Sequence, residues 1–401
     1  MGDPLFDNGL NLAVWIILVV KVIAIFAIVL ISVLFMVMYE RKMVARLGVR
    51  YGPNRAGPGG WLQSLADGVK LFFKETFLPR NADKFVYKVA PYLSLIPAIL
   101  AFSIVPIGGQ ITIAGHTTRL QLVDPQWGIL FLLMCSGVGV YGIMLAGWSS
   151  GAKYSLLASV RSSSQMVSYE AVLGLTTATV VLVTGSLHTS QIAASQSGWI
   201  WHWNIIRTAI IPFVLFSLAI TAEMGRPPFD LVEAEEEISG GFNMEYSSIG
   251  FALFYLAEYA NLVTNSAIII TLWLGGPSGP AIAGHSIGPF WFGVKMLIIL
   301  FIYVWVRATL PRFRFDQLMD LGWKRMIPLA LGMLMIIAGF QISVGWGFVA
   351  FAGVLVAFVL LFVAIEIGER STRLDQAIGE RRNEIRSQAP ESRATEGVST
   401  Q

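Results

Sequence analysis

Residues 12–38 read LAVWIILVVKVIAIFAIVLISVLFMVM, and this stretch decides the fold class. A helix of about 20 apolar residues crosses a hydrocarbon core about 30 Å thick, so the segment is long enough to span a membrane. It is too long for the apolar core of a signal peptide, and no small-residue cleavage site follows it. The charged residues Glu40, Arg41 and Lys42 come next, as expected after a true first span.

The rest of the chain has the composition of a membrane protein. Of its 401 residues, 55% are hydrophobic and only 13% are charged, whereas about a quarter of the residues of a soluble domain are charged. In lipid, the backbone of each span must satisfy its own hydrogen bonds, which predicts helices. We therefore predict an all-α fold, a polytopic transmembrane helical bundle of about nine spans at residues 12–38, 86–106, 127–148, 155–187, 205–222, 247–274, 290–310, 326–342 and 347–367.

The distribution of basic residues predicts the orientation of these spans. With the N-terminus outside, only Arg119 and Arg207 fall outside, and Lys21 and Lys295 lie within spans. All the others among the 28 Lys and Arg residues fall inside, as the positive-inside rule requires. The nine-span arrangement therefore predicts that the C-terminal tail is cytoplasmic.

Two segments, residues 61–77 and residues 368–401, are predicted to lie outside the spans. Residues 1–367 form the predicted transmembrane domain, and residues 368–401 form a polar cytoplasmic tail of mixed charge. Within the domain, residues 61–77 place Leu62, Leu65, Val69, Phe72 and Phe73 at helical spacing. This pattern predicts an amphipathic helix in the plane of the interface. Its role is either a surface anchor or a lid or floor for an amphiphilic ligand.

The chain offers few ligands for a cofactor. It has one cysteine, Cys135, whereas an iron–sulfur cluster needs about four ligands, mostly cysteine thiolates. Residues 137–142 spell GVGVYG, but this dinucleotide-like pattern lies within a span and is better explained by close helix packing. The histidines all fall in or beside predicted outside segments: His116, His188, His202 and His285. We therefore expect no haem, flavin, metal or iron–sulfur cluster on this chain.

The loop at residues 223–245 carries the strongest local signal. Only Arg226 opposes its acids, which are Glu223, Asp230, Glu233, Glu235, Glu236, Glu237 and Glu245. One interpretation is a solvated acidic loop that docks a partner. The other, which we favour, is a proton relay, because packed carboxylates raise one another's proton affinity and titrate together.

Two acids are predicted to lie deep within spans. Glu170 and Glu258 are each about 20 Å along their helices from the predicted cytoplasmic end, by helix rise. Charges at that depth are costly and usually functional, although a structural salt bridge could explain either one. Lys21 and Lys295 are also within spans, where they could extend toward an interface. An acidic loop that leads to two intramembrane glutamates suggests a path.

Long motifs stand in and between the predicted spans. They are RYGPNRAGPGG from Arg50, LQSLADGVKLFFKE from Leu62, GWSSGAKYSLL from Gly147, RSSSQMVSYE over 161–170, AEMGRPPFDLVEAEEEISGGFNMEY over 222–246, FALFYLAEYAN over 251–261 and RATLPRFRFDQLMDLGWK over 307–324. In this order they resemble the quinone-chamber subunit of respiratory complex I, the proton-pumping NADH:quinone oxidoreductase. That subunit is called H in bacteria and 1 in mitochondria. The resemblance runs from about residue 15 to about residue 340.

The resemblance implies a role at the junction between the membrane arm and the iron–sulfur-bearing peripheral arm. By motif, the quinone tunnel and its mouth would involve Arg41, Arg50, Asp67, Lys70, Arg226, Phe229, Arg307 and Arg312. The proton path toward the pump would involve Glu170, Glu223, Asp230, Glu233, Glu235, Glu237, Glu245 and Glu258. The substrate would be a quinone, reduced by electrons from partner subunits.

The resemblance also implies partners and a location. The partners would be the iron–sulfur subunits of the peripheral arm, small and antiporter-like membrane subunits, and lipid, without nucleic acid. The location would be the bacterial plasma (inner) membrane, with multiple passes and a cytoplasmic acidic loop.

The chain departs from the family pattern in four places. Gly225 replaces a polar residue, residues 162–164 are serines in place of an alanine-rich stretch, Glu236 adds an acid, and the ninth span and tail extend past the usual C-terminus. Two other functions stay open. One is a related membrane subunit of a ferredoxin-, deazaflavin- or hydrogenase-linked complex. The other, less favoured, is a stand-alone cation transporter, for which we find no internal repeat.

Overall fold

The computed structural model describes residues 4–6, 11–113, 116–230, 240–280, 288–361 and 363–364. The predicted tail at 368–401 and residues 231–239 of the acidic loop lie outside this range. The loop acids Glu233, Glu235, Glu236 and Glu237 are therefore not described.

Helices make up most of the described chain. In order, they are α1 (Leu12–Leu47), α2 (Gln63–Phe73), α3 (Lys84–Phe102), α4 (Gly128–Ser149), α5 (Lys153–Thr184), α6 (Thr189–Ser195), α7 (Asn204–Arg207), α8 (Ile211–Glu223), α9 (Ser248–Trp273), α10 (Gly288–Thr309), α11 (Phe315–Asp320), α12 (Ile327–Ile342) and α13 (Val344–Leu361). A π-helical segment, Leu321–Met326, joins α11 to α12. Within the described residues, eight helical stretches are long and apolar enough to cross a membrane. The predicted polytopic helical bundle is confirmed.

The fifth predicted span, residues 205–222, differs from the prediction because its helix is interrupted. The chain forms the single turn α7, then takes positive φ angles at Ala209 (60°) and Ile210 (29°) before α8 begins. A β-branched residue with positive φ is uncommon, and it ends the helix locally. With 13 residues, α8 rises about 20 Å, which is less than the thickness of a hydrocarbon core of about 30 Å.

A short β-hairpin, which the sequence did not predict, lies between α3 and α4. Strands β1 (Gln110–Ile113) and β2 (His116–Arg119) pair antiparallel, with Gln110 opposite Arg119. The ammonium of Lys21 in α1 donates a hydrogen bond of 2.8 Å to the Thr118 hydroxyl. The hairpin therefore satisfies one of the two lysines that the sequence places within spans.

The amphipathic segment predicted at residues 61–77 contains α2, which is held against α1. The Ser64 hydroxyl donates to the Leu34 carbonyl at 3.2 Å, and the Trp61 ring stacks on Phe35 with centroids 5.2 Å apart. The apolar side chains of Leu65 and Val69 on α2 are exposed. α2 is thus fixed in place while its apolar face stays open.

The core is centred on α9. This helix packs against α1, α3, α8 and α10, and Val263, Ala267, Ile270 and Trp273 are almost completely buried. α9 is apolar on most of its circumference, as a helix enclosed by others should be. The polar side chains that it does carry therefore face its neighbours, which positions them for the site described below.

The contact between α3 and α4 depends on a small residue. A Cβ atom at Gly142 would lie 2.2 Å from the Ser94 hydroxyl oxygen and 2.7 Å from the Ser94 backbone nitrogen. Since the backbone cannot withdraw easily, only glycine fits. The GVGVYG stretch in α4 thus serves close helix packing at Gly142, as the sequence predicted.

Substitution of this glycine gives a testable expectation. Gly142→Ala should force α3 and α4 apart and destabilise the protein by about 1–3 kcal/mol, the usual cost of overpacking. Gly139→Ala, on the same helix, is the matched control, because no atom of the described residues, apart from its own helical turns, lies within 4 Å of the position that its added methyl group would take. Thermal unfolding of the two purified variants checks this, and equal melting temperatures would contradict it.

The described residues from Gly339 onward belong to a second compact unit. Within it, helix α12 ends at Ile342, Ser343 is not helical, and α13 starts at Val344. The Phe340 and Phe348 rings meet edge to face with centroids 5.8 Å apart. The turn predicted near residues 341–345 is therefore confirmed.

Candidate functional site

A buried acid at the end of α1 anchors the site. The Glu40 side chain, 3% exposed, lies about two turns before the end of the helix. Its carboxylate is 2.6 Å from Nη1 of Arg226, in the turn after α8, and it also forms an ion pair with Nη1 of Arg307, in the last turn of α10. One carboxylate thus binds two arginines from separate elements.

Arg226 extends this arrangement to α9. Its Nη2 is 2.8 Å from Oε1 of Glu258, and its guanidinium lies over the Tyr259 ring, 4.5 Å from the centroid. We call Glu40, Arg226, Glu258 and Arg307 the buried charge network. Two acids and two arginines balance in charge. A buried charge is tolerated when it is paired, and removing one partner leaves the other uncompensated.

The turn that carries Arg226 is held by α5. The side-chain amide of Gln165 is fully buried and donates hydrogen bonds of 2.8 Å to the carbonyls of Ala222 and Phe229. The Phe229 ring in turn packs between Tyr169 and Phe313, with centroids 5.6 Å from each. These contacts fix both ends of the turn and therefore the position of the Arg226 guanidinium.

A cavity of about 430 Å³ opens beside the network. We call it the charged cavity. It is lined by Glu40, Arg41, Val44, Ala45, Arg50, Tyr51, Gly52, Pro53, Tyr255, Glu258, Tyr259 and Arg307. Arg41 is itself paired with Asp67 of α2, at 2.8 Å. The cavity therefore carries basic and tyrosine side chains. Through Arg41, one of its walls is connected to α2.

A second cavity, of about 90 Å³, lies between α3, α4, α5, α8 and α9. We call it the inner cavity. Most of its lining is apolar, but Ser136, Glu223, Asn243, Asn261 and Asn265 face it. Glu258 and Tyr255 line the inner cavity as well as the charged cavity. These two side chains thus stand between the two spaces.

Glu223 and Glu170 meet adjacent residues of α4. The Ser136 hydroxyl donates a hydrogen bond to Oε1 of Glu223. At the next residue, Gly137, an added Cβ would lie 3.0 Å from Oε1 of Glu170. The absence of a side chain there lets the Glu170 carboxyl approach α4. Glu170 of α5 was predicted as an intramembrane acid and Glu223 of α8 as a loop acid. Their carboxyl groups thus contact neighbouring residues of α4.

The structure gathers some of the predicted quinone-tunnel residues and not others. Arg41, Arg50 and Arg307 line the charged cavity, and Asp67, Arg226 and Phe229 reach the same region through the contacts above. Lys70 is exposed on α2 and is not among the residues that line the cavity. Arg312 is not among the lining residues either, and its Nε and Nη2 atoms are buried without a hydrogen-bond partner in the described chain.

The predicted proton-path residues are also divided. Glu170, Glu223 and Glu258 lie as described. Asp230 is partly buried at the end of the described part of the loop. Glu245 is partly buried, and its backbone carbonyl accepts a hydrogen bond of 2.7 Å from the Tyr87 hydroxyl. Glu233, Glu235 and Glu237 fall outside the described residues.

Several site residues were missed by the sequence reasoning. Glu40 looked like an ordinary charge at the end of a span. Tyr255, Asn261 and Asn265 could have been found, because with Glu258 they recur three and four residues apart along α9 and so form a polar stripe on one helix face. Nothing in the sequence around Ser136, apart from its hydroxyl group, indicated a functional role.

Comparisons with known proteins agree with one another. A sequence model of the family described as NADH dehydrogenase matches residues 20–338. Among curated proteins, the H subunit of the NADH-quinone oxidoreductase of Frankia alni is 49% identical over 335 residues, which cover 82% of this chain and 73% of the relative. Its counterpart from Frankia casuarinae is 48% identical over the same shares.

Proposed function

Because the chain belongs to the NADH dehydrogenase family of complex I membrane subunits, we propose that its charged cavity is part of a quinone chamber and that its inner cavity begins a proton path. The relatives are named as subunits of NADH-quinone oxidoreductase. That name favours a quinone-linked complex over a ferredoxin-, deazaflavin- or hydrogenase-linked one, and over a stand-alone transporter.

One observation carries this proposal: Glu258 and Tyr255 line both cavities. Reduction of a quinone to a quinol takes up two electrons and two protons, so the head group needs a polar site with access to protons. The arginines and tyrosines of the charged cavity can donate hydrogen bonds to the carbonyl oxygens of a quinone. Glu258 then faces the reaction on one side and the membrane interior on the other.

The inner cavity suits transfer of protons by water. A volume of about 90 Å³ is large enough to hold several water molecules. Asn261, Asn265 and Ser136 supply polar partners for such waters, and Glu223 lines the same cavity. A change in protonation at Glu258 alters its pairing with Arg226. The charge change therefore reaches the buried network and the acids beyond it.

The route for the quinone is proposed to pass α2. Quinones are amphiphilic, with a polar head and an apolar tail. The exposed apolar face of α2, with Leu65, Val69 and Phe72, suits the tail at the membrane interface. The Arg41–Asp67 pair connects this helix to the rim of the charged cavity.

Electrons, partners and location complete the proposal. Electrons come from iron–sulfur subunits of a peripheral arm, which dock at the basic end of α1, where Val49 and Tyr51 are 95% and 97% exposed. Small and antiporter-like membrane subunits pack along the spans in a bacterial plasma membrane, with the acidic loop and tail cytoplasmic. The expectation that this chain carries no haem, flavin or cluster stays a prediction.

Filling the charged cavity tests the proposal. Val44 lines this cavity, and Val44→Trp is expected to lower the quinone reductase rate of the purified complex by about tenfold, or about 1.4 kcal/mol of barrier. NADH oxidation by a hydrophilic artificial acceptor should persist, because that reaction uses other subunits.

The matched control is Val20→Trp, the same substitution at an exposed position of the same helix that does not line the charged cavity. It should leave both rates unchanged. If Val44→Trp kept the full quinone reductase rate in an assembled complex, the cavity would not hold the quinone. Loss of both rates together would show failed assembly, and the smaller substitution Val44→Phe would then repeat the test.

A further inference from the structure

The shortness of α8 leaves part of a membrane crossing to the residues before it. This helix rises about 20 Å, about 10 Å short of a hydrocarbon core of about 30 Å. The exposed side chains Ile210, Ile211, Val214 and Leu218 give it an apolar stripe that suits lipid. The chain that precedes the stripe must therefore meet the membrane boundary on that side.

That chain contains an aromatic turn. Residues 198–203 read GWIWHW, and we call them the Trp turn. Trp199 and Trp201 are 77% and 73% exposed, with Ile200 between them also exposed. Such a cluster of large apolar side chains on a surface marks an interaction site.

The backbone of the Trp turn makes two hydrogen bonds within the turn itself. The amide of His202 donates to the Trp199 carbonyl at 2.9 Å, and the amide of Trp203 donates to the Ile200 carbonyl at 3.0 Å. Internal bonding of this kind lowers the cost of placing backbone beside lipid. The turn can therefore present its two exposed indoles at a boundary where water is scarce.

The flanks of the turn are fixed to the end of α9. The buried amide of Gln196 donates to the carbonyls of Thr271 and Leu272 at 3.0 and 3.2 Å, and the buried Asn204 amide donates to Leu272 at 2.8 Å. Because α9 is long and apolar enough to cross a membrane, we expect its end at the membrane boundary. The Trp turn therefore lies at that level.

Trp203, the last residue of the turn, makes further contacts that hold the turn in place. Trp203 lies under the ammonium of Lys295, 4.5 Å from the ring centroid, and against Gly275, where an added Cβ would be 2.5 Å from the indole nitrogen. The same ammonium donates to the carbonyls of Leu274 and Ser278 at 2.6 and 2.7 Å. Trp203 is thus partly buried against the protein, whereas Trp199 and Trp201 are exposed.

We propose that the Trp turn is an interfacial anchor, which places Trp199 and Trp201 among lipid headgroups and completes the crossing that α8 leaves short. Indole rings prefer this region because they have an apolar body and a polar N–H group. The exposed Arg207 lies between the turn and the apolar stripe of α8, where its cation complements lipid phosphates. The occupant of this surface is therefore the bilayer interface rather than another subunit. This inference does not depend on the quinone chamber.

Photo-crosslinking in the complete complex tests the anchor. Trp199→p-benzoylphenylalanine and Trp201→p-benzoylphenylalanine are made separately. Each complex is irradiated in its native membrane, and the masses of its tryptic peptides are measured by mass spectrometry. The expected result is a phospholipid mass on the peptide with residue 199 or 201, in severalfold excess over adducts to protein.

The controls separate the possible outcomes. Val214, on the stripe of α8, should give phospholipid adducts when replaced in the same way. A dominant adduct of residues 199 and 201 with another subunit, or no adduct at all while Val214 reacts, would overturn the proposal. Ile200→p-benzoylphenylalanine supplies a third position if a tryptophan variant does not assemble.

Discussion

Glu258→Gln is expected to lower the quinone reductase rate of the assembled complex by at least about tenfold, about 1.4 kcal/mol of barrier, and proton pumping with it. The carboxyl group lies on both cavities and pairs with Arg226 at 2.8 Å. Glutamine keeps the shape of the side chain and one acceptor oxygen but cannot change its charge. The measurement is the quinone reductase rate and the proton pumping rate of membranes that contain the variant.

Three comparisons make this result specific. Glu75→Gln, an exposed acid near the end of α2, should leave all rates unchanged. NADH oxidation by an artificial acceptor should persist in the Glu258 variant, because that reaction uses other subunits. Glu170→Gln is expected to act in the same direction as Glu258→Gln. If both variants kept normal quinone reduction and pumping, the two glutamates would be structural and the relay would be refuted.

The largest effect on stability is expected at Glu40. Glu40→Gln removes the one carboxylate that Arg226 and Arg307 share, so two guanidinium groups lose their common counter-ion. Breaking a buried pair in this way costs about 3–5 kcal/mol. The expected result is a strongly reduced amount of assembled complex and a lower melting temperature for what remains.

Glu40→Asp and the double variant Glu40→Gln/Arg307→Gln provide the matched tests. The aspartate keeps the charge and should retain part of the stability. In the double variant only Arg226 remains opposite the neutral side chain, and Glu258 still pairs with it, so stability should recover relative to Glu40→Gln alone. A double variant that is no more stable than the single one would show that the charge balance of the network does not explain the loss.

The spanning helices could be predicted because their signal is local. A run such as residues 12–38 needs no partner to reveal that it is apolar, and the turn near Ser343 follows from the length of the last apolar stretch. The break before α8 could not be predicted in this way. It depends on backbone angles at Ala209 and Ile210 that neither residue favours by itself and that the surrounding structure imposes.

The site was predictable where depth alone gives the signal. Glu170 and Glu258 were found because an acid in the middle of an apolar run is costly wherever it packs. The role of Glu40 could not be inferred, because its two arginines come from distant segments and only the tertiary structure brings them together. The residues shared by the two cavities, Glu258 and Tyr255, likewise follow from how α9 packs against its neighbours.

The buried charge network has a consequence for the order in which the chain enters the membrane. Glu40 is separated from Arg226 by 186 residues and from Arg307 by 267 residues. During synthesis, α1 is therefore made long before either arginine emerges. Glu40 lies seven residues, about 10 Å of helix, before the end of α1 at Leu47, so the nascent helix can shift along its axis and leave this carboxylate at the aqueous surface. The full set of counter-ions is present only once α10 has been made, so we expect the first helix to reach its final depth late in synthesis.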